Sequence, residues 1–259
     1  VNASSAPQGL GPDAPGLSVS SEWADPVPTP ALLTSQLWRT MPAKRMRERQ
    51  SVRMSVLGFY GHLPERSNAC FSNFATAPVV EPFLFVLPAG LLLEGVDPGL
   101  FPSPQVVDFS EKAIMLCKAA AFGDSYSYAA ISIGTNPRGV KAKGRQVYPF
   151  DEERWQSLVC HVAREVCWQK FSQVVRHREL LLGTGERVIA EATRRDRVWG
   201  IGLDIGEEDV GIPANWRGTN VLGWALMQTR ARLRGTASHR EVASTRPSDP
   251  MSGGGGLAS

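Results

Sequence analysis

Apolar residues recur at three- and four-residue intervals in Trp155, Leu158, Val159, Val162 and Val166, which predicts a helix capped by Asp151 and running as far as Phe171. The pattern predicts a second helix from Glu111 to Ala121, capped by Ser110 and ended near Gly123, and a short one from Glu179 to Leu182, stopped by Gly183. A last helix, from Leu222 to Leu233, offers Leu222, Leu226, Met227 and Leu233 to a core. Strand signals are weaker. Ser55 to Tyr60 suits one short strand, and residues 79–107 are apolar but broken by prolines and glycines, as short strands joined by turns would be. Outside these segments the apolar pattern disappears. Residues 1–52 are rich in Pro, Ser, Gly and Ala, and residues 236–259 include the run Gly253 to Gly256. Both read as disordered arms around a folded domain at 53–235.

Composition narrows this picture. A chain of 259 residues with 42% hydrophobic content is long enough for one core plus appendages. The net charge of +3 permits contact with phosphates but is far from the dense basic surface of a dedicated nucleic-acid binder. The basic run Lys44-Arg45-Met46-Arg47-Glu48-Arg49 reads as a solvated linker ahead of a nuclear-import or phosphate-contact role. Cys160 and Cys167 are seven residues apart on one helix, about 10 Å along its axis, too far for a disulfide. Four free thiols favour a reducing compartment, cytoplasmic or nuclear, although the start at Val1 leaves room for a removed targeting segment. No zinc-ligand spacing links Cys70, Cys117, Cys160 and Cys167 to His62, His161, His177 and His239, and no apolar run has the length of a membrane span. The expectation is a protein without metal, cofactor, membrane contact or obligate protein partner.

Candidate chemistry lies in four places. The block from Asp196 to Leu203, followed by Trp216 to Gly223, sets tryptophans and an aspartate among glycines, a composition suited to a pocket wall for a flat polar ligand. Asp196 reads equally as a desolvated acid beside Trp199 and as the turn former of Arg195-Asp196-Arg197. Glu111 and Lys118 are seven residues apart, so they leave their helix from nearly one face, about 10 Å apart. A carboxylate and an amine so placed can flank a ligand; taken by itself, the spacing favours a first-turn glutamate and a surface lysine. Residues 139–145, with Lys141, Lys143 and Arg145 around Gly144, read as a basic loop able to hold phosphate or simply solvated. Trp155 is a stacking platform or a core anchor, and Gly218 to Gly223 leads into a helix N-terminus that can receive an anion or serve only as a turn.

An ordered series of short motifs spans Leu57 to Leu233: Phe59-Tyr60, Phe71-Ser72-Asn73-Phe74, Ser110-Glu111 with Lys118-Ala119, Gly144-Arg145, Trp155, Lys170-Phe171, Leu181 to Gly185, the Asp196 block and Leu226-Met227. In order and spacing it resembles the NADAR, or YbiA-like, family. The resemblance implies a mainly helical α+β fold in a single compact domain that cleaves N-glycosidic bonds. It also implies removal of ADP-ribose from modified guanine in nucleic acid or nucleosides, or hydrolysis of phosphoribosylaminopyrimidine intermediates of riboflavin synthesis. An ADP-ribose-binding module without catalysis is the reading from another class. By the same resemblance, Glu111 is the active-site glutamate, Asp196 the C-terminal acid and Lys118 the helix lysine. Trp155 is the pocket tryptophan, while Ser72, Asn73, Gly144, Arg145, Trp199 and Gly200 line the cleft, with Asn220 beside them. Lys112-Ala113 follow Glu111 where the family often has His-Tyr or Gln-Tyr. No lysine stands between Tyr60 and Phe71, so Lys118 is the candidate for a Schiff-base route.

Overall fold

Two short β-pairs and a set of packed helices make up the protein, in a computed structural model that describes residues 27–33 and 55–244, with side chains as far as 236. Strand β1 (Val56–Phe59) pairs in parallel with β4 (Val188–Glu191), Val56 opposite Val188 and Phe59 opposite Glu191. Strand β2 (Phe83–Phe85) pairs antiparallel with β3 (Gln105–Val107). The helices are α1 (Ser110–Ala121), α2 (Ser125–Ser132), α3 (Pro137–Gly144), α4 (Glu152–Gln173), α5 (Val175–Leu182) and α6 (Val221–Ser244). The fold is therefore α+β and mainly helical.

Helix α1 is the centre of the packing. Ala, Ile, Met, Leu and Cys cover its whole circumference, and all its residues except Lys118 are buried. A helix apolar on every face must be surrounded. It is enclosed by α2, α3, α4 and β3. Its start differs from the sequence expectation: Phe109, in extended conformation, is the cap residue and Ser110 is already helical. The Glu111 N–H donates instead to the Asn73 carbonyl at 2.9 Å. A carbonyl from a distant turn thus satisfies one of the four open N–H groups of the first turn. The far end stops where Gly123 takes φ +70°.

Helix α4 starts as its sequence predicts, with the Asp151 carboxylate accepting from Arg154 N–H at 2.7 Å. Near its C-terminus it takes the place of a missing strand. Gln169 accepts from Val86 N–H at 2.7 Å and donates to Val86 C=O at 2.9 Å. Gln173 makes the same pair of bonds to Leu84, at 3.0 and 2.7 Å. Four helical residues rise about 6 Å, close to the rise of two strand residues, so amides at i and i+4 match backbone groups at i and i+2. A two-stranded ribbon is marginal by itself; side-chain amides complete the edge of this one.

Three segments depart from the sequence expectation. Residues 27–33, read as part of a disordered arm, reach the core, where Leu33 is only 1% exposed and Val27 packs alongside. Apolar side chains too few to form a periodic pattern can still dock a short segment. Helix α6 continues to Ser244, beyond the expected boundary at 235, because Thr236 to Ser244 contains neither Gly nor Pro to stop it. The basic segment at 139–145 is not a loop: Asn136 caps it, accepting from Gly139 N–H at 2.7 Å, and Pro137 opens helix α3. Residues 1–26, 34–54 and 245–259, including the basic run at 44–49, lie outside the described residues.

All four cysteines are free and buried. Among the described residues, no helix is long and apolar enough to cross a membrane. Lys170 is 1% exposed, and its ammonium donates to the Cys70 carbonyl at 2.6 Å. Burial lowers its pKa from 10.5 to about 8, with Cys70 and Cys167 acting in the opposite direction. Between pH 8 and 10.5 the unfolded chain therefore holds a proton that the folded one has lost, and stability contributed by this site rises with pH. Thermal unfolding of wild type and Lys170→Met across pH 7 to 10.5 should show wild type gaining on the variant; parallel curves would contradict the assignment.

Candidate active site

The parallel pairing of β1 with β4 brings the end of β4 beside the start of α1, and acids and bases collect there. Glu111 is 4% exposed, and Lys141 Nζ lies 3.7 Å from its Oε1. The pairing follows from helix packing. At Gly144, a Cβ would fall 2.0 Å from Met115 Sδ, so glycine gives the Met115 side chain its present place between α3 and α1. Met115 is one turn beyond Glu111 and Gly144 one turn beyond Lys141, so the close approach at one pair brings the other together.

Burial raises the Glu111 pKa, Lys141 opposes it most, and Asp196 adds to it. Arg145, exposed at the end of α3, also lowers it. Lys141 itself lies over the Phe74 ring, 5.1 Å from its centroid. Thus the turn that carries Ser72 and Asn73 supplies a capping carbonyl to α1 and an aromatic face to the cation. Ser72 Oγ accepts from Phe74 N–H at 3.2 Å and fixes that turn.

Lys118 has different neighbours. Its ammonium lies 4.0 Å from the Phe150 ring centroid and 5.8 Å from that of Trp155. Burial lowers its pKa, Glu152 opposes the change, and Arg145 lowers it further. Arg145 therefore stands within electrostatic reach of both Glu111 and Lys118. Trp155 is mostly core, only 9% exposed, with Lys118 over its ring. Phe150, 40% exposed, and Tyr148, 82% exposed, are the more open rings of this region.

The Asp196 block forms two irregular segments laced together by their backbones. Arg217, Thr219, Asn220, Val221 and Leu222 donate in turn to Ile201, Arg197, Gly200, Val198 and Trp199. Asp196 Oδ1 accepts from Val198 N–H at 3.1 Å and Trp199 N–H at 2.8 Å, so its turn-forming role is real. It remains close enough to raise the pKa of Glu111 and of a third acid. Trp199 is part-buried against the main core, and Trp216 packs with Ala190, Ala192, Ile201 and Leu203.

Three residues expected to line the cleft are packing positions. Gly144 accommodates Met115, and a Cβ on Gly200 would meet the Glu191 carbonyl at 2.7 Å. Asn220, 1% exposed with φ +56°, accepts from Glu191 N–H at 3.1 Å and donates to the Ile189 carbonyl at 2.8 Å. With its amide committed to β4, it anchors that strand to the start of α6.

Glu191 is the acid that the sequence reading missed. It ends β4, where Val188, Ile189 and Ala190 give only the signal of a buried strand. Its Oε2 is shut off from the surface and has no hydrogen-bond partner among the described residues. Burial raises its pKa to about 8, with Asp196 and Glu111 adding to the effect and Lys141 opposing it. Lys141, considered only as part of a basic loop, is likewise a member of the cluster. Among the described residues no three His, Cys, Asp or Glu side chains converge closely enough to hold a metal ion.

The sequence pattern that defines the NADAR domain matches residues 59–234, more than half of the 259-residue chain. The chain belongs to the NADAR family. An N-glycosidase of Acanthamoeba polyphaga mimivirus is 36% identical over 122 residues, 47% of this chain and 71% of the relative. The Caenorhabditis elegans protein irg-1 is 36% identical over 126 residues, 48% of this chain and 59% of that protein. An N-glycosidase of Nostoc punctiforme is 30% identical over 108 residues, 42% of this chain and 62% of the relative. The matched stretches thus span less than two thirds of the last two proteins. The NMR structure of the E. coli protein YbiA superposes with a TM-score of 0.51 at 23% identity, covering 81% of this chain and all of that one. That likeness establishes a shared fold.

Proposed function

We propose that this NADAR protein is an N-glycoside hydrolase that removes ADP-ribose from ADP-ribosylated guanine in nucleosides or nucleic acid. The observation that carries the reading is the buried Glu111 carboxyl, paired with Lys141 and within electrostatic reach of Asp196 and Glu191. Breaking a ribosyl C–N bond develops positive charge on the sugar, and a preorganised carboxylate in a water-poor site stabilises that charge. The mimiviral and Nostoc relatives, both N-glycosidases, support the same reaction class. Arg145, exposed and close to both Glu111 and Lys118, suits a pyrophosphate, and the open Phe150 and Tyr148 rings suit a base or adenine face. Asp196 supports the acid cluster from its turn.

Incubation of the protein with ADP-ribosylated guanosine is expected to release ADP-ribose and the free nucleoside in stoichiometric amounts, read by chromatography. Turnover of a phosphoribosylaminopyrimidine alone would move the assignment to that smaller substrate. Tight calorimetric binding of ADP-ribose without release of base would make the protein a binding module. Borohydride added during turnover separates two chemical routes: a reduced adduct on Lys118 marks attack by its amine, and absence of any adduct marks attack by water.

A further inference from the structure

Hydrolysis of a ribosyl C–N bond needs a proton as well as a stabilised sugar. The departing nitrogen takes the bonding pair, and a guanine nitrogen is a poor leaving group without a proton. Two carboxyls interact here, Glu111 buried and Glu191 part-buried, and their surroundings differ. Glu111 has Lys141 at 3.7 Å and Arg145 within reach, so its charge is matched. Glu191 has no such partner at Oε2, while its backbone is fixed on both sides, its N–H by Asn220 and its C=O by Ile201 N–H at 2.9 Å. The charged groups facing Glu191 are Asp196 from the following turn, Lys141 from α3 and Glu111 from α1; β1 contributes none, and α6 is preceded there by the neutral Asn220. Burial first, and then two negative neighbours against one cation, favour the protonated form of a carboxyl whose Oε2 has no hydrogen-bond partner among the described residues.

We propose that Glu191 is the acid that protonates the departing base, an inference that rests on the N-glycosidase reading of this site. As the ribosyl C–N bond breaks, its electron pair goes to the base nitrogen, and the Glu191 carboxyl proton passes to that nitrogen. In the water route, the oxygen of a water molecule bonds to the ribose carbon and its released proton goes to Glu111. Return of that proton from Glu111 to Glu191 through water restores both groups. If Lys118 attacks instead, the leaving base still needs the same proton.

Glu191→Gln keeps the side-chain shape and removes the proton. With ADP-ribosylated guanosine the variant is expected to lose about 10²-fold in kcat with little change in KM. With nitrophenyl ADP-ribose, whose phenolate leaves unprotonated, the loss should be under about tenfold, because the acid contribution to a barrier scales with the need for a proton. The wild-type rate should fall as pH rises through about 8, and this limb should be missing from the variant. A protonated-carboxyl C=O stretch in the infrared spectrum at pH 7, lost in the variant, provides a readout independent of turnover. Equal losses on both substrates, or an unchanged infrared band with wild type active, would overturn the acid role alone. Absence of wild-type turnover on any ribosyl N-glycoside would remove the N-glycosidase reading, and the acid role with it.

Discussion

Glu111→Gln is expected to lower turnover of ADP-ribosylated guanosine by about 10²–10⁴-fold, the range for removing a group that meets charge only in the transition state. Glutamine preserves the volume and can still accept from Lys141 and keep the Asn73 carbonyl bonded to its backbone N–H. What it lacks is the negative charge. The loss should therefore appear in kcat rather than KM. Unfolding is not the expected cause. The folded pKa of Glu111 is raised, so the folded state holds a proton that the unfolded chain gives up, and the stability linked to this group is lost as pH rises from the ordinary carboxylate range through the folded value. Glutamine removes that penalty, and the Lys141 ammonium it leaves is 32% exposed and open to water, unlike a fully buried charge. The variant should melt at or above the wild-type temperature at neutral pH. Wild-type turnover in Glu111→Gln, or activity lost only in step with a lowered Tm, would remove Glu111 from the reaction.

The parts of the fold readable from sequence were those whose signals are local. Asp151 and the apolar stripe from Trp155 to Val166 define α4 because cap and face lie within a few turns. Helix α3 carried such a signal too, in Asn136 and Pro137, but its glycines and its lysines resembled a solvated loop. The site was less legible because it depends on pairing across the chain. Nothing in Val188 to Glu191 shows that this strand lies beside β1, yet the folded chain turns an ordinary strand-end glutamate into a part-buried acid within electrostatic reach of Glu111.

The family resemblance supplied Glu111, Asp196 and Lys118, but not how they are divided among neighbours. Glu111 answers to Lys141, whereas Lys118 answers to Phe150 and Trp155, with Arg145 between the two environments. Glycines were the hardest to assign. Sequence cannot tell a glycine that admits a ligand from one that admits another backbone, and at Gly200 and Gly144 the close neighbour is protein.

That distinction yields a stability prediction at Gly223, in the first turn of α6. A methyl group there would lie 2.1 Å from the Ile189 carbonyl oxygen and within 2.6 Å of both polar atoms of the Asn220 amide. The obstacle is the backbone of a buried strand, which cannot rotate away. Relief requires α6 to move off β4, and that motion breaks the bonds by which Asn220 holds Ile189 and Glu191. Alanine brings a helix-propensity gain of about 1 kcal/mol, but overpacking of this kind costs roughly 1–3 kcal/mol and more where backbone is displaced. A net loss of about 2–3 kcal/mol corresponds to a Tm lowered by roughly 4–12 °C in a domain of this size. Gly144→Ala is the control, because its clash at 2.0 Å is with the flexible end of Met115, which can adopt another rotamer. Its loss should stay near 1 kcal/mol, the lower end of the overpacking range. Thermal unfolding of both variants tests the contrast, and a Gly223→Ala protein as stable as Gly144→Ala would show that the contact between α6 and β4 yields more readily than its geometry implies.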